Sequence, residues 1–277
     1  STQAKTLFPY TTLFRSGHVI LVNAGKWLLP AGVPLQIDKA ALEMHLSSSR
    51  LDIPSIDIGM YDGQLSGNAV LSWQKDWRTS GKLHVKNLSV KEPSILVSKS
   101  VYLSGILFGD GTFSSTAKEA ASLADNLNAD FGFNVNNGIL HGLDLAKVAS
   151  LLLKQGNGGG ETQFDEFAAK LNVKGRQYSL RDIKISSGLL AAKGQVKVKP
   201  DKTLDGVVEV EVKKSISMAA IPLQVSGTLD KPIVLPTKAA LAGAVAGTAI
   251  LGPGVGTSLG VKAGGAVDKI KGLFQSN

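Results

Sequence analysis

The sequence predicts a mostly β chain with some α. It would be an elongated antiparallel sheet able to curl into a groove, with two or three covering helices and a C-terminal Gly/Ala-rich helical hairpin. Three observations predict it. Apolar and polar residues alternate with period two from about residue 51 to 230, the mark of half-buried strands. Turn-forming pairs punctuate that pattern at hairpin spacing. Glycine is abundant, at 31 of 277 residues, which suits a turn-rich β protein.

The alternating pattern starts with Ile53, Ile56 and Ile58 around Pro54. Ala69–Trp73 follows, then Gly81–Val90 with Leu83 and Val85. Two helices are predicted between strands. Thr116–Asn126 has strong helix formers, with Thr116 as N-cap and Glu119 three residues on, a capping-box spacing. Leu143–Gln155 has apolar residues at 145, 148, 151 and 152, with Asp144 as N-cap and Gly156 beyond its end. Between and after them, Phe131, Phe133 and Val135 alternate with Gly132 and Asn134. Then come Phe167, Ala169, Leu171 and Val173, followed by Leu180, Ile183 and Ile185. Val196 and Val198 alternate with lysines, and Val208, Val210 and Val212 with glutamates. Leu223, Val225 and Thr228–Leu229 close the series. The expected turns are Asn137-Gly138, Gly156–Gly160, Lys174-Gly175, Pro200-Asp201 and Asp205-Gly206.

Residues 239–261 carry no charge for 23 residues. As one helix they would span about 35 Å, enough to cross a hydrocarbon layer of roughly 30 Å. Six glycines and Pro253 make a single span marginal. A hairpin is the better reading, with arms from about Lys238 to Leu251 and from about Thr257 to Phe274 around a Pro253–Gly256 turn. The second arm sets Leu259, Ala263, Val267, Ile270 and Phe274 on one stripe, with Lys262, Lys269 and Lys271 outside it. That suits an interfacial helix on lipid. It equally suits a hairpin packed on the sheet, and both readings stay open.

Residues 6–16, TLFPYTTLFRS, stand apart. Their longest apolar run is two residues, so a secretory signal, which needs about 7–15, is excluded. All eleven residues match the in-frame translation of a common sequencing-adapter oligonucleotide. Residues 1–16 are therefore set aside as non-native, and without Lys5 and Arg15 the formal net charge of +8 falls by two. An assembly cut is expected there, which would place the natural N-terminus and any anchoring helix upstream. Domain organisation follows: 1–16 adapter-derived, 17–50 a poorly defined remnant, 51–236 a β-rich domain, 237–277 the helical tail.

Composition limits function. The absence of cysteine removes disulfides, thiolate metal sites and Cys nucleophiles, and leaves the compartment open. The positive charge is mostly lysine, without a basic block or basic-aromatic interleaving, so nucleic acid is not an expected partner. A diffuse basic surface suits anionic lipid. Gly256-Thr-Ser258-Leu-Gly260 matches G-x-S-x-G, but no strand precedes it and the last histidine is His141, whereas the motif's histidine follows its serine. The run Gly156–Gly160 lacks the G-K-[S/T] ending of a phosphate loop. His18, His45, His84 and His141 show no metal-ligand spacing. Asp125 with Asp130, and Asp165 with Glu166, read as solvated carboxylates near turns. The expectation is no enzyme, no cofactor and no metal.

Four stretches carry a resemblance: GKLHVKNLSV (81–90), ADFGFNVNNGILHGLDLAKVASLL (129–152), GETQFDEFAAKLNVKGRQYSLRDIKISSGLLAAKGQVKV (160–198) with its T-x-F motif, and IPLQVSGTLDKPIVLP (221–236). In this order they resemble the C-terminal region of AsmA-like proteins of Gram-negative bacteria, over roughly residues 80–236. The resemblance implies an elongated periplasmic protein, held to the inner membrane by an N-terminal helix, that influences outer-membrane biogenesis. Its larger relatives are thought to carry phospholipid in a groove. The expected partners are phospholipid or a membrane surface, or, if the protein is a scaffold that carries no lipid, outer-membrane assembly proteins. The candidate groove lining is Phe131, Phe133, Val135, Leu171, Val173, Ile183, Ile185, Val196, Val198, Val208, Val210 and Val212. Alternating apolar strands also form sealed cores, so groove and core both remain readings of this face. The candidate membrane-interface residues are Leu259, Lys262, Val267, Lys269, Ile270, Lys271 and Phe274.

Overall fold

The computed structural model describes residues 17–28, 34–150, 159–213 and 220–243. They form one 13-stranded antiparallel sheet in which every strand pairs with its neighbours in sequence, from β1 to β13. The strands are β1 Gly17–Leu28, β2 Pro34–Leu46, β3 Arg50–Met60, β4 Gly63–Ser72, β5 Trp77–Ser89, β6 Tyr102–Ala117, β7 Asn128–His141, β8 Glu161–Lys174, β9 Gln177–Ser186, β10 Leu190–Val198, β11 Leu204–Val212, β12 Ile221–Gly227 and β13 Pro232–Pro236. Two short α-helices interrupt them, α1 Lys91–Val97 and α2 Leu145–Ala149, with one 3-10 turn at Ala120–Ser122. A further helix starts at Lys238, where Thr237 bonds the first turn: its Oγ1 accepts from the Ala240 N–H at 3.2 Å.

The hairpins follow from local chemistry. Tyr61 and Asp62, both at positive φ, make the two-residue turn between β3 and β4, a backbone that matches strand twist. Gly175 supplies positive φ at the β8–β9 turn. At the β10–β11 turn the Asp201 carboxylate accepts from the Thr203 N–H (3.0 Å) and hydroxyl (2.6 Å).

Several expectations are corrected. The helix expected at Thr116–Asn126 does not form. Thr116 and Ala117 continue β6, paired to Arg78 and Trp77, and the Ser115 hydroxyl donates to the Leu123 carbonyl at 2.7 Å. Ladder bonds and this tether outweigh the helix propensity of the segment. Asn137-Gly138 is not a turn but a bulge inside β7, where the register against β6 slips between Ser104 and Ile106. Asn137 takes φ +50 there, a conformation a bulge uses as readily as a turn. Asp205-Gly206 lies within β11, opposite Lys197 and Val196. Residues 17–50, expected as a poorly defined remnant, hold two strands, β1 and β2, at 17–28 and 34–46. Strand β6 and helix α1 were likewise not predicted. Of the helix expected over Leu143–Gln155, Leu145–Ala149 forms α2, and Asp144 caps it as expected, accepting from the Lys147 N–H at 2.9 Å; residues 151–155 lie outside the described residues. The second arm of the expected C-terminal hairpin, with Leu259, Lys262, Val267, Lys269, Ile270, Lys271 and Phe274, lies outside the described residues, as do residues 244–251 of its first arm, Ser258 and most of the run 156–160. Among the described residues, no helix is long and apolar enough to cross a membrane.

Candidate functional site: one apolar face of the sheet

Residues directly opposite each other on adjacent strands point to the same face. The register therefore sorts the twelve candidate residues without ambiguity, and all twelve share one face. One transverse row runs Leu107, Val135, Phe167, Ile185, Ala192, Val210, Ile221. A second contains Phe133 and Ala169, then Ile183, Gly194, Val208 and Leu223. A third runs Phe131, Leu171, Leu180, Val196, Gly206, Val225, Val234. The fourth holds Ala129, Val173, Tyr178, Val198 and Leu204. Val212 stands two residues beyond Val210, opposite Leu190.

The opposite face is polar. Across it Lys170 pairs with Asp182 at 2.9 Å, Lys193 with Glu209 at 3.4 Å and Arg181 with Asp130 at 3.9 Å. The Lys170 ammonium holds the Asp182 carboxyl below the usual carboxylate range, first by hydrogen bonding and then by charge. The same side carries Ser104, His141 and Glu161, one from each of β6, β7 and β8. Ser104 Oγ lies 3.0 Å from His141 Nε2, and Glu161 Oε1 lies 2.8 Å from Nδ1. Tyr102 stacks on the imidazole with ring centroids 4.5 Å apart. This network joins three adjacent strands, and nothing in the sequence spacing signals it. Among the described residues, no group of three or more His, Asp or Glu side chains could hold a metal ion.

The apolar face differs along its length. Under α2, at one end of β8–β13, it is closed. Helix α2 lies over β8, β11, β12 and β13, with Leu145, Val148 and Ala149 buried against them. Val135, Val210 and Leu223 are fully inaccessible. A buried threonine ties α2 down: Thr162 Oγ1 accepts from the Leu145 N–H at 2.9 Å and donates to the Leu143 carbonyl at 2.7 Å. Thr162 is the threonine of the T-x-F motif, and its Phe164 is buried beside Phe167, with ring centroids 5.9 Å apart edge to face.

Away from α2, from β3 across to β9, the face is a half-buried floor. Ile56, Ile58, Leu65, Leu83, Phe113, Phe131, Phe133, Leu171 and Leu180 all stay partly accessible. Cross-strand glycines make room for its aromatic rings. A side chain on Gly81 would strike the Phe113 ring, and one on Gly111 the Phe131 ring. Phe131 stacks on Phe133 at 6.4 Å, and Phe133 meets Phe167 edge to face at 5.8 Å. The candidate residues divide by exposure: Val135, Val173, Ile183, Ile185, Val198, Val208 and Val210 are buried, while Phe131, Phe133, Leu171, Val196 and Val212 stay partly accessible.

The sheet also coils on itself. The linker between α1 and β6 meets the β12–β13 turn, where the Ser98 hydroxyl donates to the Leu229 carbonyl (2.8 Å) and the Ser100 hydroxyl to the Asp230 carbonyl (2.6 Å). One contiguous apolar cluster, from Met60 and Val90 through α2 to Val225 and Val234, lies within this curl.

The model of the AsmA family matches residues 17–182, more than half of the 277-residue chain. The match takes in β1–β4, upstream of the four quoted motifs, and ends in β9. No curated protein and no solved structure matches the chain.

Proposed function

Because the chain belongs to the AsmA family, we propose that it acts in the periplasm in outer-membrane biogenesis, by handling phospholipid along the apolar face of its sheet. The family is linked to outer-membrane biogenesis and consists in general of non-enzymatic envelope proteins. The observation that carries the lipid reading is the half-open floor of Phe131, Phe133, Leu171 and Leu180, continuous with the closed core under α2. An acyl chain laid on such a floor gains about 0.8 kcal/mol per methylene removed from water. Among the described residues the ion pairs between strands lie on the opposite face, so no charged pair has to be desolvated when a chain docks on the floor.

Native mass spectrometry of protein purified from an envelope fraction tests this. Val173 and Val210 are too buried for a charge to be informative, since aspartate there would unfold the core. Phe131→Asp and Leu171→Asp place the charge on the accessible floor instead. The parent protein is expected to carry phospholipid, and both variants to lose it while keeping their β-sheet circular dichroism. A folded parent with no bound phospholipid overturns the lipid reading and favours a scaffold for outer-membrane assembly.

A further inference from the structure

We propose that the contact between the α1–β6 linker and the β12–β13 turn is the port through which a phospholipid acyl chain enters the curled part of the sheet. This rests on the lipid reading above and adds where the chain passes. The strands on either side are held by continuous ladders, but among the described residues β13 is the last strand of the sheet and pairs only with β12. At the rim, outside the apolar cluster that fills the curl, the two margins are joined by a pair of serine hydroxyls, Ser98 and Ser100, on the carbonyls of Leu229 and Asp230. Two hydroxyl–carbonyl bonds are a weaker join than the strand ladders on either side, so the rim of the curl is the seam at which the proposed port opens.

The chemistry on both sides of the seam fits a phospholipid. Leu96 and Val97, just before Ser98, are 43% and 64% exposed, and Ile233, just after the turn, is 43% exposed. These give the opening apolar lips on both margins. Lys99, Lys202 and Lys231 are exposed around it, and none forms an ion pair with a described residue. Lys202 belongs to the seam because its carbonyl accepts from the Leu229 N–H at 3.1 Å. Lipid phosphate at these ammonium groups would leave the acyl chain facing the lips, with the apolar cluster directly behind them.

The chain has no cysteine, so Ser100→Cys with Asp230→Cys gives a closure that can be locked and released. The readout is exchange of fluorescent phosphatidylglycerol between the full chain and vesicles of phosphatidylglycerol and phosphatidylcholine. The reduced pair, which lacks the Ser100 hydroxyl bond, is expected to exchange lipid at least as fast as the parent, and the oxidised pair to exchange about tenfold or more slowly than the reduced pair, as a gated step should. Equal exchange in the oxidised and reduced states overturns the port while the lipid reading stands. A parent that takes up no labelled lipid overturns the lipid reading, and the port with it. Should the cysteine pair not fold, Ser98→Ala with Ser100→Ala decides: faster exchange than the parent supports the port, and an unchanged rate overturns it.

Discussion

Single residues show how the same chemical signal serves two purposes. Pro200-Asp201 and Asp205-Gly206 are both turn signals four or five residues apart, and only the first is used. Asp201 is committed to its turn by two bonds from Thr203, whereas Gly206 lies where the Val196 backbone passes too close for any side chain. Glycines opposite phenylalanines hid β6 in the same way: Gly109 and Gly111 break the alternation of YLSGILFGDGTFSSTA because a ring from β7 occupies the space their side chains would fill. Asp201 also carries a pH dependence. The Thr203 hydroxyl, and then its N–H, hold the Asp201 carboxyl below the usual carboxylate range. A depressed carboxyl stabilises the fold fully above its unfolded value of about 3.9 and loses that contribution as pH falls through the folded value. NMR titration should therefore find Asp201 ionised to lower pH than an ordinary aspartate, and Thr203→Val should raise its midpoint; an unchanged midpoint contradicts the bonding.

Among elements, α2 was legible and the helix at 116–126 was not, for a physical reason. Asp144 caps α2 locally, and Leu145 and Val148 mark its buried face, so everything needed is within five residues. The segment after Thr116 is governed instead by β5, whose Trp77 and Arg78 hold Ala117 and Thr116 in the ladder. No local propensity reports a partner that far away. Thr162 is an intermediate case. The T-x-F motif was visible, but its purpose, anchoring the first turn of α2, depends on Leu143 and Leu145 across a connection that sequence alone does not orient. Thr162→Val keeps the shape and leaves the Leu145 N–H and Leu143 carbonyl without this partner, which should cost about 1–3 kcal/mol. Urea unfolding measures it, and a variant as stable as the parent would show that α2 is held by its apolar contacts alone.

The molecule as a whole is unevenly consolidated. Buried apolar side chains are dense from β7 to β12, whereas β2–β4 contribute only Ile37, Ala40 and Met60 among the described residues. Regions with few buried contacts open at lower free energy. Hydrogen exchange followed by mass spectrometry should find the amides of β3 and β4 exchanging ahead of those in β8–β11, and uniform protection would contradict that gradient. Period-two alternation revealed much of this architecture, because each strand shows one face to apolar neighbours. It could not reveal the coiling, which depends on twist accumulated over many strands.

The strictly sequential strand order bears on how the chain acquires its shape. Each new strand finds its partner in the strand just made, so the ladder grows by short-range closures, which are the fast ones. A chain released from one end can add strands one at a time without waiting for distant sequence. The hydroxyl contacts of Ser98 and Ser100 are different: they join residues 131 and 130 positions apart. They must form late, after β12 and β13 exist. Until then the apolar side of the growing sheet is exposed, and this is the interval in which the nascent protein is most open to aggregation.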